Sequence, residues 1–203
     1  MKTLLVCCGL LMLCTMAAKA QQQEKTTGHV HGQQPAAGAV QPVRLSIPDV
    51  EILNQDGKKQ RLFTDLIKGR KVVINFIYTT CTAYCPLSGN NFARLQTLLG
   101  ERLGKDVYLL SISTDPETDT PEKLKSWSGR FAPKPGWTFV TGETPAMQTL
   151  LRAFLGEGPR RGVHTPVAFV VNDKDGGWKR TFGLEQPGKL VEMLDLVSSQ
   201  GKE

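Results

Sequence analysis

The amino-acid sequence predicts an α/β domain, a mixed central sheet flanked by helices with an N-terminal hairpin extension. Three observations carry that prediction. Apolar, β-branched runs alternate with segments of helical spacing through the middle of the chain. The last two strand-like runs face each other across the turn Asp173-Lys174-Asp175-Gly176-Gly177. A final helical segment follows them. Alternation implies parallel strands joined by helices, and the closing hairpin implies an antiparallel pair in the same sheet.

Glu51-Ile52-Leu53, the turn Asn54-Gln55-Asp56-Gly57, and Lys59 to Leu62 read as the short hairpin. Lys71 to Tyr78 is a near-continuous apolar run, the pattern of a strand covered on both faces. Leu87, Asn91, Phe92, Leu95, Leu98 and Leu99 fall at helical spacing, and Gly100 ends that helix. Val107 to Ser113 is a second buried strand. Thr120 as N-cap and Pro121 at the first helical position open a helix that runs to about Phe131. Thr138 to Val140 is a third strand, and Thr144-Pro145 opens a helix reaching about Leu155 by the same logic. Val167 to Val171 pairs with Trp178 to Phe182, and a last helix spans about Pro187 to Ser198.

With 203 residues, 40% of them hydrophobic and 22% charged, the chain is long enough to bury a core without disulfide staples. Its composition excludes collagen, coiled coil and a polytopic membrane protein. The formal net charge of +6 comes without a run of Lys or Arg, and aromatic residues make up only 7%, so no nucleic-acid partner is expected.

The N-terminus reads as a secretory leader. Lys2 supplies a positive start, Thr3 to Ala18 carry no charge, and Ala18-Lys19-Ala20 is a small-x-small cleavage site. Residues 1–20 are therefore expected to be removed by cleavage after Ala20, giving a periplasmic product. Left uncleaved, the same stretch would anchor the chain to the membrane. Residues 21–42, rich in Gln, Gly, Ala and Pro with His29 and His31 among them, lack the apolar side chains to offset ordering and are expected to form a flexible linker. Residues 43–203 form the domain.

Cleavage takes Cys7, Cys8 and Cys14 with the leader and leaves one pair, Cys81 and Cys85. A disulfide closing so short a loop adds little global stability. Redox chemistry and metal binding both stay open on the residues alone. The pair lies between the first long strand and its helix, which narrows the prediction to a thioredoxin-like fold. Pro86, with no N–H to donate, fits the first helical position, so Cys85 is expected at the N-cap and Cys81 in the loop before it. The positive end of the helix favours thiolates there. Two thiolates are soft ligands suited to Cu(I), Zn or Fe–S, and a third ligand is expected. The domain contains one histidine, His164, in the loop before the fourth long strand.

The first long strand followed by Thr80-Cys81-Thr82-Ala83-Tyr84-Cys85-Pro86 resembles the C-x-x-x-C-P signature of the SCO/SenC family. Ser113-Thr114-Asp115-Pro116-Glu117-Thr118-Asp119-Thr120-Pro121 is similar to that family's S-x-D-P-x-x-D-T-P segment, and His164 follows in family order. The resemblance covers roughly residues 45 to 195. It implies a thioredoxin fold and one copper, as Cu(I) or Cu(II), held by Cys81, Cys85 and His164. It also implies a role in assembling the copper centre of cytochrome c oxidase, with subunit II or another periplasmic copper protein as client. Such proteins act as copper donors, as thiol reductases that need a thiol reductant of their own, or as both. On that second reading Cys81 and Cys85 are the redox pair of a periplasmic thiol-disulfide oxidoreductase.

The chain departs from the pattern at Thr82, where many members have Pro, and at Thr165-Pro166, where many have Ser after the His. A Thr-Pro before a strand matches the cis-proline that thioredoxins place beside their active disulfide. Pro166 is therefore expected to follow a cis bond and to support the redox reading. Asp115, at the sheet end that carries the cysteines, is a candidate to tune the thiols or orient His164 from behind. Asp119 is read as structural. His29 and His31 are a candidate metal-catching pair. A peroxidase of the peroxiredoxin type is disfavoured, because the position three residues before Cys81 is Tyr78 rather than Thr.

Overall fold

The computed structural model describes residues 38–157 and 166–199. Two long strands set its architecture: β4 (Lys71–Ile77) and β5 (Val107–Ser113) run parallel in register from Lys71↔Val107 to Ile77↔Ser113. The other strands are β1 (Val40–Pro42), β2 (Glu51–Asn54), β3 (Lys59–Arg61), β6 (Trp137–Thr141), β7 (Val167–Asn172) and β8 (Gly177–Phe182). The helices are α1 (Tyr84–Leu99), α2 (Pro121–Gly129), α3 (Thr144–Leu155) and α4 (Pro187–Ser199). The strands form one sheet in the order β1-β8-β7-β4-β5-β6-β2-β3. β4, β5 and β6 are parallel, while β7 and β8 are antiparallel to their neighbours. This is the mixed, thioredoxin-like sheet that the alternation and the closing hairpin predict.

Side chains of β4 and β5 alternate between two cores, because successive residues of a strand point to opposite faces. Val73, Ile77, Val107 and Leu109 pack with α1, α2 and α4. Val72, Ile74, Leu110 and Ile112 pack with α3 and a π-helical turn at Leu62–Ile67. Covering both faces explains why these strands read as continuous apolar runs. The first face also carries Asn75, Ser111 and Ser113, all buried.

The hairpin β2–β3 extends the sheet itself, since β2 pairs antiparallel with β6. At the opposite edge, Val40–Pro42 corrects the linker boundary. These residues pair with β8 from Val40↔Thr181 to Pro42↔Lys179, and Val40 packs on the first core. Composition registers side chains, whereas this edge forms through backbone hydrogen bonds. The expected leader and residues 21–37 of the linker, including His29 and His31, lie outside the described residues.

The helices differ in how they start. α2 opens as read, with Thr120 Oγ1 accepting the Lys123 N–H at 3.3 Å. It ends at Gly129, short of Phe131. α1 instead begins at Tyr84, with Ala83 flanking it, so Cys85 is the second helical residue and Pro86 the third. Likewise Thr144 is the first residue of α3 rather than its cap. No N–H in the first turn has an intrahelical acceptor, so proline fits there without losing a bond.

Gly89 sits inside α1, where glycine is disfavoured relative to alanine. A Cβ there would lie 2.4 Å from the ring of Phe131. That ring belongs to an aromatic cluster with Trp127 and Trp137, so α1 packs against the segment after α2 as closely as a bare backbone permits. Gly89→Ala is expected to lower unfolding free energy by roughly 1–3 kcal/mol despite better helix propensity. Urea denaturation measures this, and Phe131→Leu in the same chain should recover part of the loss.

Candidate functional site

At the carboxyl end of β4 the chain turns tightly, with the Cys81 N–H donating to the Tyr78 carbonyl at 3.2 Å. Ala83, flanking α1, offers no side-chain cap. The Cys81 sulfur takes that role and accepts the Cys85 N–H at 3.4 Å. An orphan first-turn donor is thereby matched to the one soft acceptor in the loop. Both cysteines are free thiols, and Cys81 and Cys85 are only 9% and 6% exposed.

The two sulfurs are electrostatically unequal. Burial alone would push the Cys81 thiol up. Hydrogen bonds from the Cys85 backbone and thiol, the Ala83 N–H and the Tyr78 hydroxyl outweigh it and bring Cys81 below the ordinary thiol value. Cys85 is pushed up to about 12, first by burial, then by its hydrogen bond to Cys81 and by the charges of Cys81 and Asp119. Tyr78 is raised as well, by its bond to Cys81, by burial and by the surrounding negative charge of Cys81, Cys85 and Asp115. The pair therefore holds its first negative charge on Cys81 and its proton on Cys85.

Asp119 anchors this loop. Its carboxylate, 1% exposed, accepts the Thr79 N–H at 3.1 Å, the Thr79 hydroxyl at 2.5 Å and the Ser113 hydroxyl at 2.6 Å. Its own N–H donates to the Asp115 carbonyl at 2.8 Å, and the Asp115 N–H donates to Ser113 Oγ at 3.1 Å. The β5–α2 connection is thus bonded directly to the cysteine loop. Asp115 is buried at the same sheet end.

A second polar chain pins α1 to the sheet. Trp137 Nε1 donates to Ser111 Oγ at 3.0 Å, Ser111 Oγ donates to Asn75 Oδ1 at 2.7 Å, and Asn75 Nδ2 donates to Ser88 Oγ at 2.8 Å. Ser88 lies about one turn beyond Cys85, so this chain fixes the helix that carries the second sulfur. Asn75 and Ser88 also line a small cleft with Pro166. Pro166 is half-buried, and its carbonyl accepts the Gly183 N–H at 2.7 Å.

Of the residues singled out from the sequence, the structure brings Cys81, Cys85 and Asp115 to one end of the sheet and sets Pro166 beside α1. His164 and Thr165, and with them the expected cis bond and third ligand, lie outside the described residues. Among the described residues no group of three His, Cys, Asp or Glu side chains is placed to hold a metal ion. Sequence reasoning missed the hydrogen bonds of Tyr78 and Thr79 and the Asn75–Ser111–Ser88 chain. The available signal was the polar residues Asn75, Ser111 and Ser113, which interrupt two apolar strands on one shared face.

Residues 45–194 match the SCO1/SenC family model. The chain is 33% identical over 103 residues to the SCO1 protein homolog of Bacillus subtilis, a stretch covering 50% of this chain and 51% of that one. It is 30% identical over 112 residues to a Stutzerimonas stutzeri protein named for copper binding, covering 55% of this chain and 53% of that one. The matched region is thus about half the length of these relatives. Among solved structures it is similar to BsSco, described as a member of the Sco family of cytochrome c oxidase assembly proteins. That match has a TM-score of 0.64 and 25% identity over 79% of this chain and 96% of that one. Copper-bound yeast Sco1 has the same fold at a TM-score of 0.60 and 17% identity, covering 82% of this chain and 95% of that one.

The inequality of the sulfurs predicts their reactivity. The thiolate is the nucleophile, so a limiting amount of iodoacetamide at neutral pH should label Cys81 well ahead of Cys85. Peptide mass mapping reads the ratio, and equal labelling would contradict the assigned proton distribution.

Proposed function

The chain belongs to the SCO1/SenC family, and on that premise we propose that it carries copper through Cys81, Cys85 and His164 and serves assembly of the cytochrome c oxidase copper centre. The observation that carries this reading is the pair of reduced, buried thiols gathered at the first turn of α1. Soft thiolates match Cu(I), and burial shields the bound ion from water. The relative named for copper binding and the BsSco structure support it. Copper is cargo in this reading. When Cu(I) enters, the proton held on Cys85 leaves to solvent, both sulfurs bond to the ion, and His164 supplies a nitrogen.

Export to the periplasm, by the leader read at residues 1–20, places the protein beside its proposed clients, subunit II of the oxidase or another copper protein. Among the described residues no helix is long and apolar enough to cross a membrane.

The second reading, a thiol-disulfide oxidoreductase, is favoured by one observation, the division of roles between the sulfurs. The Cys81 thiolate attacks a client disulfide and forms a mixed disulfide, releasing one client thiolate. The Cys85 thiol then loses its proton to the leaving sulfur and displaces the second client thiol. Two electrons and the Cys85 proton pass to the client, whose other thiolate takes its proton from solvent, and this chain is left as the Cys81–Cys85 disulfide for a thiol reductant to restore. In both readings Asp119 and Asn75 hold the loop and helix, and Asp115 and Pro166 border the site.

The reduced chain is expected to bind one Cu(I). Cys81→Ser or Cys85→Ser should abolish binding, and oxidation to the disulfide should do the same. His164→Ala should weaken binding at least about tenfold, equivalent to ~1.4 kcal/mol, while leaving disulfide formation intact. Chelator competition measures the affinity, and X-ray absorption should show sulfur scatterers. A client that still matures with His164→Ala would support the reductase reading over copper delivery.

A further inference from the structure

We propose that Asn91 is a positioning residue for the third copper ligand. Through the corner Gly183–Glu185 it ties the cysteine-bearing helix to the start of β7, two residues after His164. The inference rests on the copper-carrier reading above and concerns how a nitrogen donor is held in step with the sulfurs.

The start of β7 lies beyond its ladder with β4, which stops at Asn75↔Ala168. Val167 and Pro166 bond instead toward β8 and the residue after it. Pro166 has no N–H to give, and its carbonyl accepts the Gly183 N–H at 2.7 Å. Gly183 has a φ of 98°, a conformation open to glycine and strained for other residues, and the chain turns sharply there.

Two positions on, the corner meets α1. Asn91 Nδ2 donates to the Glu185 carbonyl at 3.0 Å. The first N–H groups of α4 to find an acceptor, those of Lys189 and Leu190, bond to the Gln186 carbonyl, so the Glu185 carbonyl is left for Asn91. The Glu185 carboxylate accepts the buried Thr181 hydroxyl at 2.5 Å, which fastens the corner to β8 as well. Ser88, Asn91, Pro166, Gly183 and Glu185 line one cleft of about 20 Å³, room for a single water. Helix, corner and strand start therefore meet with almost nothing between them.

This path from α1 to Pro166 bypasses the contacts that set the sulfurs. The cysteine loop is held by Asp119 through Thr79, and the first turns of α1 by Asn75 through Ser88. The apolar contacts of Leu190, Met193 and Leu194 in the first core keep α4 in place without the Asn91 bond. His164 precedes Pro166 by two residues, and two residues reach no further than about 7 Å. Where the corner holds Pro166 thus limits where the imidazole can be offered. Loosening the Asn91 bond frees that end of β7 relative to α1 and leaves the thiols as they were.

An amide that merely docked α4 would make the same bond, and a double-mutant cycle on Cu(I) affinity separates the two roles. Chelator competition on the reduced full chain compares wild type, Asn91→Ala, His164→Ala and the double variant. Alanine favours the helix, so α1 itself is not weakened. Asn91→Ala should weaken binding at least about fivefold when His164 is present and less than about twofold when it is absent. Thr181→Val, which releases Glu185 from the β8 side, should repeat the pattern. Without copper, the iodoacetamide labelling ratio of Cys81 to Cys85 should stay at the wild-type value in both variants. Equal weakening with and without His164, no weakening in either, or a changed labelling ratio would overturn the positioning role and leave the functional reading standing. A wild-type chain that takes up no Cu(I), or one whose affinity His164→Ala leaves unchanged, overturns the functional reading, and the positioning role with it.

Discussion

A buried sulfur can take up charge more readily than an ordinary thiol only if it is given hydrogen-bond donors, and the structure around the cysteines answers that requirement. Burial opposes charge on Cys81. The first turn of a helix supplies N–H groups with no intrahelical acceptor, so setting the sulfur at that turn satisfies the sulfur and the helix together. The solution works only if the loop returns the sulfur to the same place each time. That explains why a fully buried carboxylate, Asp119, is spent on Thr79 and Ser113 rather than on a cation. It also explains why Asn75 reaches from β4 to Ser88.

The two-faced sheet separates this work. The face bearing α3 packs apolar side chains from Val72, Ile74, Leu110 and Ile112. The face bearing α1, α2 and α4 admits Asn75, Ser111 and Ser113 at alternate strand positions. In a low-dielectric interior each of these costs stability unless paired, and each is paired with a group that locates α1 or the cysteine loop. The bare backbone of Gly89 leaves room on the same helix for the Phe131 ring.

The fold was legible where side-chain pattern and backbone geometry coincide. β4 and β5 read correctly because burial on both faces leaves a near-continuous apolar run, and the start of α2 read correctly because Thr120 is a true cap. The start of α1 was misjudged because Pro86 is tolerated at any first-turn position and so does not mark which one. Val40–Pro42 escaped notice because its pairing partner, β8, lies far along the chain and makes no demand on side-chain type. At the site, Cys81 and Cys85 were visible from their isolation in sequence. Their unequal thiols were not, because the inequality arises from which N–H and hydroxyl groups the folded loop aims at each sulfur. Asp119 was recognised as structural, but its reach to Thr79, forty positions away, depends on how the two loops meet.

The β1 edge has a mechanical consequence. Chain preceding Val40 enters the sheet along an antiparallel strand whose bonds to β8 run crosswise to the backbone, beginning at the Gly38 N–H to Phe182 carbonyl contact of 2.7 Å. Tension directed away from the sheet edge at that end would load these contacts one by one, as a zipper opens. β8 and β7 stand between this edge and β4. Such a pull would meet this short border strand first, at a distance of two intervening strands from the one that leads into the cysteines.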